Sequence, residues 1–152
     1  MGRNVFISFD SADREWVGHL ASALIHRGWE PSVERSQLHA DEDAKARAAR
    51  DLEASEVLLV VLSAASAESS LVASQLDLGA TYGTEIVVVR VDDSEPGAAI
   101  AAALGGAPTI SFHGKETRPQ FDKLHTALGR AAAQSFRVIT GELETLMPDD
   151  TI

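Results

Sequence analysis

The stretch Asn4-Val5-Phe6-Ile7-Ser8-Phe9-Asp10-Ser11-Ala12-Asp13-Arg14-Glu15-Trp16-Val17 passes from a short apolar strand through a polar turn into an acidic helix start. Val5, Phe6 and Ile7 suit a buried strand, and Ser8 to Ala12 supplies small polar residues for the turn. Asp13 and Glu15 then place negative charge where the helix dipole favours it. Beyond them Trp16, Leu20 and Leu24 recur every four residues, with Val17, Ala21 and Ile25 alongside, which predicts one broad apolar face. Gly28 ends that helix.

The same alternation repeats along the chain with short connections, the rhythm of a domain built from strands and crossover helices. Trp29 to Val33 is a weak second strand; Pro31 inside it lacks an amide donor and places it near a sheet edge. Asp41, Glu42 and Asp43 precede Lys45, Arg47 and Arg50, so charge runs from acidic to basic along a second helix. Val57 to Leu62 is an unbroken branched and aliphatic run, expected at the sheet centre with both faces buried. Ser69 or Ser70 caps a third helix reaching about Tyr82, with Leu71 and Leu78 expected on its inner face. Ile86 to Val91 repeats the buried-strand pattern. An alanine-rich fourth helix covers about Pro96 to Leu104 and stops at Gly105 and Gly106, Thr109 to Phe112 makes a fifth strand, and Thr117 caps a last helix containing Phe121, Leu124 and Leu128. From Gln134 the pattern is ambiguous, since Phe136, Val138 and Ile139 fit either a further strand or a surface-packed tail. The expected fold is α/β, a flavodoxin-like three-layer sandwich whose five-stranded parallel sheet has the order 2-1-3-4-5 with helices on both faces. Residues 1–133 form the domain and residues 134–152 a C-terminal extension, packed on it or partly disordered.

Composition narrows the function. The 152 residues hold 45% hydrophobic and 24% charged side chains, suited to one globular domain. There is no cysteine, which removes thiolate nucleophiles, disulfides and zinc-thiolate sites. The five histidines form no close pairing with carboxylates at metal-ligand spacing and read as solvated surface groups; no metal site is expected. A formal charge of -10 opposes broad binding to nucleic-acid phosphate. The longest apolar run, Val57 to Leu62, is far shorter than the roughly 20 residues a membrane span needs, and Asn4 to Phe9 is too short for a signal core, so a cytoplasmic location is expected. Neither a GxGxxG fingerprint nor a phosphate loop ending in Gly-Lys-Ser/Thr occurs. A phosphoryl-accepting receiver needs an aspartate at the end of the third strand, where Ser63 stands, and paired acids after the first, where only Asp10 qualifies.

Three segments carry a family resemblance. The opening stretch resembles the first box of TIR domains; Leu59-Val60-Val61-Leu62-Ser63 with Ser69 to Ala80 resembles their third strand and following helix; and Thr109 to Leu128 resembles the fifth strand and final helix of bacterial members. The resemblance implies a crevice at the carboxyl ends of the strands. NAD or a related nucleotide would bind there against Phe9, Asp10, Ser11, Arg35, Ser63 and Leu71. It also implies association with itself, as a homo-oligomer, or with another TIR domain.

The chain departs from that family in two places. Leu38-His39-Ala40-Asp41-Glu42-Asp43 lacks the proline-glycine pair usual before the second helix, and Ala44 stands where many bacterial relatives have tryptophan. More consequential, Leu71-Val72-Ala73-Ser74-Gln75-Leu76 aligns with tryptophan-x-x-x-glutamate-leucine, so Gln75 occupies the position of the catalytic glutamate in NAD-cleaving members. Positive charge develops on the ribose as nicotinamide leaves, and a neutral amide stabilises it poorly. The expectation is therefore a signalling or defence module that binds rather than cleaves. The alternative is an NAD-cleaving or base-exchange enzyme that recruits Glu68, Asp77 or a residue of a partner chain.

Overall fold

The computed structural model describes residues 3–33, 42–113 and 117–146, with 42–45, 117 and 135–146 described by their backbone alone. Its centre is strand β3, Val57–Leu62, in which every residue is buried. Six consecutive apolar side chains leave no face for water, so the strand requires a neighbour on each side and a helical layer above and below. β1 (Asn4–Ser8) pairs with it in parallel from Val5 opposite Val57, and β4 (Glu85–Arg90) pairs along its whole length. β2 (Glu30–Val33) and β5 (Thr109–Ser111) form the two edges, giving a parallel sheet of order β2-β1-β3-β4-β5, as expected. Pro31 sits in the edge strand β2, where its missing donor costs one outward hydrogen bond at most.

Strand parity sorts the core into two layers. Val5, Ile7, Phe9, Leu59 and Val61 face α1 (Arg14–His26) and α5 (Thr117–Leu146), where Leu20, Leu24, Leu124 and Leu128 meet them. Phe6, Leu58 and Val60 point the other way, onto α2 (Glu42–Glu53), α3 (Ser70–Tyr82) and α4 (Ala98–Leu104) through Leu52, Val72, Leu76 and Ile100. Gly79 sets the height of α3 above the sheet: a Cβ there would lie 2.9 Å from Leu58 Cδ2. Gly28, with φ +89°, turns the chain from α1 into β2 in a conformation that other residues adopt at a cost.

Three local expectations are corrected and one open alternative is narrowed. Ile25 is 60% exposed; only Val17, Leu20 and Leu24 of α1 are buried, because a helix lying on a flat sheet contacts it through a narrower stripe than the apolar pattern covers. The inner face of α3 is Val72, Gln75, Leu76 and Gly79, while Leu71 and Leu78 are half-buried at its side. Of the alternatives left open from Gln134, the described backbone through residue 146 forms no strand: α5 continues without a break to Leu146, carried on by the alanine run Ala131 to Ala133. His125 is not a solvated surface group, since it is half-buried and its Nδ1 accepts a 3.0 Å hydrogen bond from Trp29 Nε1–H. No described helix is long and apolar enough to cross a membrane.

Candidate functional site

The position of Gln75 follows from two local decisions. Ser69 caps α3 by accepting from the Val72 amide, which starts the helix at Ser70. Gly79 then lets that helix approach Leu58, bringing Gln75 against β1 with only 3% of its surface exposed. Ser8 shares the parity of Phe6 and so points to the same layer. Its Oγ donates to Gln75 Oε1 at 2.5 Å, and Ser8 is wholly buried. A buried amide costs little only when its polar atoms are partnered, and no buried side-chain nitrogen or oxygen of the described residues lacks a partner.

Beside this pair a cavity of about 160 Å³ opens between α2 and α3. Phe6 forms its floor, Ala48 and Leu52 line it from α2, and Leu71, Ser74, Gln75 and Leu78 line it from α3. None of these side chains ionises. The two acids that the sequence offers as substitutes stand elsewhere: Glu68 is exposed in the turn before α3, and Asp77 is exposed on its outer side, about 200° around the axis from Gln75. A larger groove of about 370 Å³ runs along α5 at Asp122, Lys123, Thr126, Ala127 and Arg130, but it contains none of the residues that the sequence singles out.

The remaining expected residues gather at the carboxyl edge of the sheet. Asp10 accepts from the Ala12 amide at 2.9 Å and starts the short 3-10 turn Ser11–Asp13, on which Ser11 is exposed. Phe9 is 4% exposed and packs with the core on the α1 side. Ser63 is buried and donates to Asp13 Oδ2 at 2.5 Å, while its amide donates to Ser66 Oγ. Arg35 lies outside the described residues, as does the segment from Leu38 to Asp41. Next to Ser63, Asp92 accepts from the Ser94 and Ala64 amides at 2.9 and 3.0 Å. The Ser94 amide is the main reason that its carboxyl is held below the usual carboxylate range; the Ala64 amide and the His113 charge add to this, and desolvation opposes it.

Thus Gln75 and Leu71 share the cavity wall, whereas Phe9, Asp10, Ser11 and Ser63 cap and pack the strand ends. Ser8 and Asp13, the partners of Gln75 and Ser63, escaped the sequence reading. The parity of β1 was a usable signal for Ser8; no pattern in the sequence pairs Asp13 with Ser63. Among the described residues no cluster of histidine and carboxylate could hold a metal ion.

Comparison with known proteins places this geometry in context. The family described as TIR domain matches residues 5–136. No curated protein matches the sequence significantly. Among solved structures, the CMP N-glycosidase BcmB of Clostridium botulinum superposes with a TM-score of 0.58 at 11% identity, over 81% of this chain and 98% of that one. The TIR domains of the activated Roq1 resistosome, which directly recognises the pathogen effector XopQ, superpose with a TM-score of 0.50 at 18% identity, over 93% and 99%. NtrX from Brucella abortus, solved with ADP, gives 0.56 at 16% identity over 98% of this chain but only 30% of that one. At such identities the likeness is one of fold alone.

Proposed function

The chain belongs to the TIR domain family, and from that premise we propose that it acts by protein association, with itself or with another TIR domain, in a signalling or defence assembly. The observation that carries this reading is the burial of Gln75 in a neutral pair with Ser8. A group that is to stabilise positive charge on a departing ribose must be anionic and reachable. Gln75 is uncharged, and its Oε1 is already engaged by the Ser8 hydroxyl. The cavity beside it, at about 160 Å³, is smaller than the roughly 300 Å³ at which small-molecule pockets begin. Removing one preorganised electrostatic group costs about 3 kcal/mol of barrier, or roughly two decades in rate. NAD or a related nucleotide is on this reading at most a ligand at the strand ends. The Roq1 TIR domains, described within an assembled resistosome, supply the analogy for association.

One observation favours the other reading. BcmB is described as a CMP N-glycosidase, so the same architecture serves cleavage of an N-glycosidic bond. For this chain that chemistry would need an acid other than residue 75, and Glu68 and Asp77 both stand exposed and away from the cavity lining.

The test measures nicotinamide released from NAD by the wild-type protein and by Gln75→Glu, with light scattering of the wild-type protein across concentration. Concentration-dependent association with no release supports the proposal. Wild-type turnover that is lost in Gln75→Ala would reverse the ranking.

A further inference from the structure

We draw no further inference here: the strongest candidate, the face of exposed alanines that Ala98, Ala99, Ala101 and Ala102 form on α4 within a stretch free of charged residues from Pro96 to Phe112, is a stripe of small residues, and nothing in the structure shows what covers it.

Discussion

Ser8 Oγ donates to Gln75 Oε1 at 2.5 Å across the interface of β1 with α3, and both residues are buried. A polar pair inside an apolar layer is costly when half of it is removed and nearly neutral when both halves go. Gln75→Leu leaves the Ser8 hydroxyl without that acceptor and is expected to destabilise the fold by about 1–3 kcal/mol. The double variant Ser8→Ala with Gln75→Leu should be less destabilised than the sum of the single variants. A double-mutant cycle by urea denaturation measures the coupling, and additive losses would mean the pair contributes nothing as a unit.

Gln75→Glu exchanges the amide for a titratable group in the same buried place. Burial disfavours the charged form and raises the carboxyl's folded-state pKa above the unfolded value of about 4.3. The sign follows: the variant is closest to wild-type stability below about pH 4, and loses stability as pH rises through the raised folded-state value. Each unit of upward shift corresponds to about 1.4 kcal/mol at high pH. Urea titrations of both proteins from pH 4 to 8 check this; a constant difference across that range would show that the carboxylate reaches solvent.

How much of this site could be read from residues alone is clear from α3. The strand order was legible because Val57 to Leu62 has no polar break and Pro31 marks an edge. The rotation of α3 was not, since Leu71 and Leu78 form one apolar stripe and Val72 and Leu76 another beside it, and periodicity cannot choose between adjacent stripes. Gly79 decides, because the absence of a side chain at that position lets the helix settle on Leu58 with Gln75 turned inward. Ile25 shows the same limit on α1, where the apolar pattern is wider than the contact. Asp13 with Ser63 and Trp29 with His125 are pairings distant in sequence, which only the sheet order brings together.

Gly79→Ala tests that account of α3. The added methyl would meet Leu58 Cδ2 at 2.9 Å, closer than carbon atoms approach, so helix or side chain must shift. Overpacking of this kind costs about 1–3 kcal/mol, outweighing the helix propensity gained over glycine, about 1 kcal/mol. Thermal unfolding should show a lower midpoint. A higher midpoint would mean that α3 is not pressed onto β3 at this point.

Asp92 offers a pH dependence of the opposite sign to that of Gln75→Glu. The Ser94 and Ala64 amides hold its carboxyl below the ordinary value of 3.8, so the folded state favours the anion. Its contribution is present above the unfolded value and is lost as pH falls through the depressed one. Asp92→Asn should therefore be less stable than the wild type at neutral pH, with the gap closing as both proteins are acidified below the ordinary carboxylate range. Chemical denaturation at pH 7 and pH 3 measures the gap, and an undiminished difference at pH 3 would point to lost packing instead of lost charge.

Trp29 Nε1–H donates to His125 Nδ1 at 3.0 Å, with the rings edge to face at 6.1 Å and Arg3 stacked 5.1 Å from the Trp29 ring. His125→Phe preserves the ring contact but removes the acceptor, leaving a largely buried indole N–H without it; Trp29 is 3% exposed. The expected loss is about 1–3 kcal/mol. His125→Gln, which can still present an acceptor, should recover part of it. Trp29 follows the C-terminal end of α1, so this pair also ties that end to α5. Thermal unfolding of the three proteins should rank the wild type above His125→Gln and that above His125→Phe; equal midpoints would mean that the hydrogen bond contributes nothing to the fold.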